Sequence, residues 1–224
     1  MYIQKENYFR IVKELQTAKA TLVAVSKTKP IEAIKELYDL GHRDFGENYV
    51  QELTEKQHRL PQDIRWHFIG HLQSNKVKYI APFVHLIHGI DSFKLLKEVN
   101  KQAMKNNRVI QVLLQVHIGK EETKFGLDEK ELGDLFNTNL KLEASELNNV
   151  QIKGLMGMAS FSDNMELVRN EFKTLKRIFD NYASLSMDNC QMRILSMGMS
   201  GDHQIALEEG SNMVRIGSLI FGSR

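Results

Sequence analysis

Eight short runs of β-branched and other apolar residues, at positions 21–25, 43–45, 66–69, 83–88, 109–117, 150–156, 192–196 and 213–216, recur along the chain between longer segments of helical period. The stretches 31–40, 93–104 and 167–182 space their apolar residues three and four apart, which puts them on one helical face. Strand and helix in alternation are the mark of βα units and a parallel sheet. Eight such units predict an α/β fold, a single TIM-type (β/α)8 barrel. A further amphipathic segment at 6–18 adds an N-terminal helix, set over one end of the barrel or against its outside. An open doubly wound sheet is the competing arrangement. Its dinucleotide-binding form lacks support, because no Gly-x-Gly-x-x-Gly follows the first run.

No linker interrupts this alternation. Only Pro30, Pro61 and Pro82 occur, with no Pro/Gly/Ser-rich stretch, so residues 1–224 read as one domain. A chain of this length buries roughly 70% of its unfolded surface, enough to fold without staples. Cys190, the single cysteine, excludes an internal disulfide and a multi-cysteine zinc site. Thirty Lys plus Arg against 28 Asp plus Glu leave a formal charge of +2, too balanced for a protein that coats nucleic acid or lies on a membrane. The first residues lack a signal-type apolar core, and no run approaches the roughly 18 residues of a spanning helix. A cytoplasmic location is expected.

In a barrel of this type, chemistry sits at the C-terminal ends of the strands, often with a phosphate held after strands seven and eight. Polar and glycine-rich residues gather at those points: Ser26-Lys27-Thr28-Lys29-Pro30, Gly46-Glu47-Asn48, Gly198-Met199-Ser200-Gly201-Asp202, and Gly217-Ser218. Gly198, Gly201 and Gly217 would let backbone N–H groups approach an anion, and a helix beginning at either loop would add its positive end. The plainer reading is a tight turn in which Ser200 caps a helix over 202–209. Lys27 is either a solvated loop lysine or an amine nucleophile whose pKa is lowered by desolvation and by Lys29 as a second cation. Arg215, inside the eighth run, either pairs with a carboxylate or serves the mouth.

The remaining polar and sulfur residues have plainer readings. Alternation puts His67 on one face of the third strand with Arg65 and Ile69, and Trp66 with Phe68 on the other. No carboxylate pattern accompanies His67 and His71, so hydrogen-bonded histidines are preferred to a metal site, and no metal is expected. His85 and His88 read as opposite faces of the fourth strand. Methionines 156, 158, 192, 197 and 199 read as core filling, and Cys190 as a bystander thiol.

The motifs Leu22-Val23-Ala24-Val25-Ser26-Lys27-Thr28-Lys29-Pro30, Phe45-Gly46-Glu47-Asn48-Tyr49-Val50-Gln51-Glu52, Trp66-His67-Phe68-Ile69-Gly70, Leu72-Gln73-Ser74-Asn75-Lys76, Leu195-Ser196-Met197-Gly198-Met199-Ser200 and Met213-Val214-Arg215-Ile216-Gly217-Ser218 occur in that order. Together they resemble the pyridoxal phosphate homeostasis protein family, which is similar to the N-terminal barrel of alanine racemase standing alone. The resemblance runs from about Leu22 to the C-terminus. It implies that Lys27 forms the Schiff base with pyridoxal 5'-phosphate (PLP) and that Asn48 lies beside the ring. It further implies that Ser200, with the backbone of Gly217 and Ser218, holds the phosphate, and that Arg215 faces the pyridine nitrogen. Two positions depart from the family pattern: His71 replaces the usual proline after Phe68-Ile69-Gly70, and Phe125 replaces a small residue between Lys124 and Gly126. Both bear on loop shape, and Phe125 on any part Lys124 takes in moving the cofactor.

The resemblance implies a non-catalytic protein that holds PLP and hands it to PLP-accepting apoenzymes. It is expected to be monomeric, with no nucleic-acid or membrane partner. The alternative is a PLP-dependent amino-acid racemase, which needs two bases on opposite faces of the substrate. In alanine racemase the second base, a tyrosine, comes from an added β domain of a partner subunit, and the eight residues that follow position 216 leave no room for one here. A donor-only arginine at the ring nitrogen would also leave the ring a poor electron sink. A third reading, a Schiff-base enzyme acting on a phosphorylated sugar, would need acid–base groups at the mouth, for which His67 and Glu47 are the candidates.

Overall fold

The computed structural model describes residues 2–119, 125–140, 146–183 and 189–222. Its strands are β1 (Thr21–Val25), β2 (Asp44–Glu47), β3 (Arg65–Phe68), β4 (Leu86–Ile90), β5 (Ile110–Val116), β6 (Val150–Gly157), β7 (Cys190–Ser196) and β8 (Met213–Ile216). They pair in parallel in chain order and close β8 onto β1, with Val23 opposite Arg215. Helices α1 (Lys5–Ala18), α2 (Ile31–Asp39), α3 (Val50–Arg59), α4 (Val77–Ile80), α5 (Phe93–Lys105), α6 (Glu129–Asp134), α7 (Met165–Ala183), α8 (His203–Glu208) and α9 (Ser218–Phe221) lie between and around them. The expected TIM-type barrel is the observed fold.

Local chemistry sets the helix starts. Ser92 accepts from Leu95 N at the head of α5, and Asp128 with Glu131 forms a capping box on α6. Outward-facing strand residues such as Phe45, Trp66 and Phe68 join Ile34, Leu53 and Phe172 of the helices in the larger core, between sheet and helix ring. Inward-facing Val23, Leu86, Leu113, Met156 and Met213 form a smaller apolar cluster inside the barrel. Closure requires local irregularity. The β5–β6 and β6–β7 registers shift near Val112 and Gly154. Gly154 sits at φ +156°, where a Cβ would come within 1.8 Å of the Ile194 carbonyl oxygen, so only glycine fits that bulge.

Two expectations are refined. Helix α1 packs outside the barrel: Ile11 and Leu15 are buried in the outer core, and Gln4 N donates to Ile220 O of α9. The fourth strand starts at Leu86 rather than 83, because Phe83 and Val84 still donate to the Ile80 carbonyl and so form the closing turn of α4. His85 therefore precedes the strand, and its ring and that of His88 both lie against His67, at centroid separations of 5.5 and 5.2 Å.

Candidate functional site

A cavity of about 430 Å³ opens at the C-terminal ends of the strands, within the roughly 300–1,000 Å³ of small-molecule sites. Lys27, Asn48, Ser200, Arg215, Gly217 and Ser218 all line it, with Met158, Phe161, Met199 and Asp202. A groove of about 550 Å³ lies on the other side of the same turn, walled by Glu32, Glu52, Glu55 and Arg59. That groove is larger, but none of Lys27, Asn48, Ser200, Arg215, Gly217 and Ser218 lines it. The strand-end cavity is the better candidate.

Lys27 is half-buried in a turn fixed from behind. Ser26 N donates to Gly46 O and Lys29 N to Ser26 O, which holds Thr28 at φ +62°. Beneath the turn, Lys56 Nζ donates to Ser26 O (2.8 Å), Glu47 Oε1 (2.8 Å) and Glu52 Oε1 (2.6 Å). Ser26 Oγ donates to Glu47 Oε1 at 2.6 Å, and Thr28 N to Glu52 Oε1. Burial pushes the Glu47 carboxyl up against the opposing pull of Lys56 and Ser26, and its buried Oε2 has no hydrogen-bond partner among the described residues. Lys29 Nζ is held by the carbonyls of Phe221 and Gly222. Glu47 and His67, the acid–base candidates of the sugar-enzyme reading, both lie outside the cavity lining.

The anion end differs from the simple cap. Ser200 Oγ accepts from Gly217 N at 3.3 Å, bridging the loops after β7 and β8, while Asp202 takes the Met199 N–H. Among the described residues no oxygen accepts from the backbone N–H groups of Ser200, Gly201 or Ser218. Gly201 and Gly217 line the cavity, whereas Gly198 does not. At φ +96° a Cβ on Gly198 would come within 2.6 Å of Ala206 Cβ, so this glycine lets α8 pack closely. Burial raises the Asp202 carboxyl, opposed by the Met199 N–H.

Arg215 makes no ion pair with a carboxylate among the described residues. Nη1 donates to Ser196 O (2.9 Å) and Ser196 Oγ (2.7 Å), and Nη2 to Gly157 O (3.1 Å). Burial brings its pKa down to about 10, against the attraction of Asp202. Nε–H and one N–H of Nη2 remain for a ligand. Asn48, also on the lining, has a buried Oδ1 with no hydrogen-bond partner among the described residues. These groups match a flat, phosphorylated heteroaromatic aldehyde: an amine, donors for a phosphate at one end, and a donor-only cation for a ring nitrogen.

The other singled-out residues fall elsewhere. His67 faces Asp44 and His88, and His71 faces Asp91. Among the described residues no three potential ligands group around a metal position. Met158 and Met199 line the cavity, while Met156, Met192 and Met197 are buried. Burial pushes the Cys190 thiol up to about 11. The two departures from the family pattern touch each other: the rings of His71 and Phe125 stack at 3.7 Å and 13°. Lys124 lies outside the described residues.

The model of the alanine racemase N-terminal domain family matches residues 4–224. A pyridoxal phosphate homeostasis protein of Aquifex aeolicus is 45% identical over 92% of this chain and 87% of its own length. That of Escherichia coli K12 is 38% identical over 91% and 86%. PipY of Synechococcus elongatus, solved without PLP and with PLP bound, is 33% identical and superposes with TM-scores of 0.87 and 0.85 over 97% of this chain and 99% of PipY. Alanine racemase of Bartonella henselae, at 17% identity and a TM-score of 0.70, shares the fold over 59% of its length. The resemblance carried by the six motifs is borne out, and the chain belongs to the pyridoxal phosphate homeostasis protein family, built on the barrel of the alanine racemase N-terminal domain.

Proposed function

We propose that residues 1–224 form one PLP-binding barrel domain that serves intracellular PLP homeostasis, holding the cofactor and releasing it without turning over a substrate. The observation that carries this reading is the convergence of Lys27, Asn48, Ser200, Arg215, Gly217 and Ser218 on one cavity. PLP, when bound, supplies an aldehyde open to attack by an amine, a phosphate and a ring nitrogen. Lys27 offers the amine at the strand end. Ser200 Oγ and the backbone of Gly217 and Ser218 would hold the phosphate, with Gly217 N already donating to Ser200 Oγ and the N–H groups of Gly201 and Ser218 open beside it. Asn48, whose Oδ1 has no partner among the described residues, would lie beside the ring. Arg215 only donates, so it keeps a proton off the ring nitrogen.

That last property favours storage over catalysis, since an unprotonated ring is a poor sink for electrons from a substrate. The titratable groups on the cavity wall are Lys27, Lys29, Asp202 and Arg215. Lys29 is engaged by two carbonyls and Asp202 by a backbone N–H. A second base opposite Lys27 is missing from this described lining. We assign the protein to the cytoplasm as a monomer that hands PLP to apoenzymes. Among the described residues, no helix is long and apolar enough to cross a membrane.

The test is spectroscopic. Purified protein titrated with PLP develops a visible absorbance band, Lys27→Ala abolishes it while far-UV circular dichroism is unchanged, and borohydride fixes the cofactor on a peptide containing Lys27. Label chiefly on Lys29 or Lys124 overturns the assignment. Incubation with L-alanine in heavy water gives no Cα deuteration; Lys27-dependent exchange with inversion would establish a racemase instead.

A further inference from the structure

The apolar cluster of Val23, Leu86, Leu113, Met156 and Met213 fills part of the barrel interior, and a line of polar side chains crosses the barrel beside it. At the N-terminal end, Arg65 binds the Asp44 carboxylate through Nε and Nη2, and this pair is in part open to solvent. Asp44 Oδ1 lies 3.0 Å from His67 Nε2, and His67 Nδ1 lies 3.0 Å from His88 Nε2. His88 Nδ1 lies 3.3 Å from Ser196 Oγ, which accepts from Arg215 Nη1 at 2.7 Å. The line thus climbs from β2 through β3, β4 and β7 to β8, and ends on the cavity wall.

Its two ends fix the direction of every proton between them. Arg215 can only donate and an ionised Asp44 can only accept. Burial opposes the charge on Asp44, but hydrogen bonds from Arg65 and His67 outweigh it and hold the carboxyl well below the usual range. Ser196 Oγ, having accepted from Arg215, passes its own proton to His88 Nδ1. His88 then donates from Nε2 to His67 Nδ1, and His67 from Nε2 to Asp44. Each buried donor finds one acceptor. The opposite direction would strand the Ser196 hydroxyl proton and require a second proton on His67 inside the barrel, both costly for fully buried groups. Burial keeps His88 neutral, holding it well below its ordinary value, and keeps His85 neutral with a pKa of about 4. Among the described residues, His42, Asp44, Arg65, His85 and Arg215 are the charged and titratable groups around the two imidazoles.

We propose that Asp44, His67, His88 and Ser196 are positioning residues, a hydrogen-bond relay of fixed direction that sets the roll of the Arg215 guanidinium and so aims its remaining N–H groups at the ring nitrogen of the cofactor. The proposal rests on the PLP reading above. It extends the site through the barrel to residues that touch neither the cavity nor each other in sequence. With Nη1 shared between two oxygens of Ser196 and Nη2 on Gly157 O, loss of the Ser196 hydroxyl removes one of the three bonds that define the guanidinium plane.

The test uses the full chain in two measurements. In the ligand-free protein, 15N-histidine NMR should find the relay protons of His67 and His88 both on Nε2, with each Nδ1 an acceptor. Asp44→Ala, at the far end, should shift His88 towards the Nδ1–H form, an effect local structural damage would not produce. In titrations, Ser196→Ala should weaken PLP binding about tenfold, or about 1.4 kcal/mol, and Ser196→Thr should restore it. Binding of the PLP analogue with CH in place of the ring nitrogen should change by less than about twofold. His88 protonated on Nδ1 in the unmodified chain, or equal losses for both ligands, overturns the relay. A wild-type chain that binds neither ligand overturns the PLP reading, and the imidazole tautomers then decide the relay's direction alone.

Discussion

Replacing Lys56 by methionine tests the support beneath the Lys27 turn. The ammonium is nearly inaccessible and donates to three oxygens, while Glu47 beside it is fully buried. Methionine fills similar space but leaves the Glu47 carboxylate with the Ser26 hydroxyl alone. Removing one partner of a buried pair costs about 3–5 kcal/mol, a large share of a typical total of about 5–15 kcal/mol. For a chain of this size that corresponds to a fall in Tm of about 6–20 °C. Burial already raises the Glu47 carboxyl and Lys56 restrains it; without Lys56 it rises further above its unfolded value. Folding then favours the protonated form, so the deficit is largest above that raised pKa and shrinks as pH falls and Glu47 takes up its proton. Urea denaturation from about pH 8 to about pH 5 follows this trend, and Glu47→Gln in the Lys56→Met background recovers most of the loss at neutral pH. A deficit below about 1 kcal/mol, or one that does not vary with pH, would refute the reasoning.

Further outcomes follow from other parts of the structure. Ser200→Ala weakens PLP binding by about 1–3 kcal/mol and leaves pyridoxal, which lacks the phosphate, nearly unaffected; equal losses in parallel titrations would make Ser200 a loop brace only. Gly154→Ala destabilises by more than about 3 kcal/mol, read by denaturant unfolding, because its Cβ would collide with the Ile194 carbonyl. The Cys190 thiol, with its pKa pushed up to about 11, reacts with a thiol reagent only on unfolding; rapid labelling of the native protein would contradict its burial.

The barrel was legible in the sequence because each strand carries its own apolar run and each helix its own period, both local signals. Lys27, Asn48 and Ser200 were legible because barrel topology brings strand C-termini together at one mouth, whereas Arg215, inside the eighth run, was placed there only by the family resemblance. What escaped were pairings set by strand register and helix docking. Alternation put His67 on one face of the third strand with Arg65 and Ile69, but only the pairing of His67 with Gly46 and Leu86 turns that face inward and brings Asp44 and His88 level with its ring. Lys56 reads as an ordinary polar helix residue; its burial depends on where α3 docks against the Ser26 turn. Ser200 looked like a helix cap, and only the nearness of β8 to β7 gives it Gly217 N as its partner instead. Nor could sequence choose between an ion pair and open donors for Arg215, since that depends on which carboxylates the closed barrel leaves within reach.

The stack between His71 and Phe125 makes two substitutions a single character. These residues lie 54 positions apart, each at a departure from the family pattern, yet their rings share one contact, with His71 also held by Asp91. Replacing the segment that bears His71 would take the partner face from Phe125, and replacing Phe125 would leave His71 with its Asp91 contact alone. Loop transplantation among these barrels must therefore move both segments together, because the compatible unit is the pair of loops rather than either loop alone.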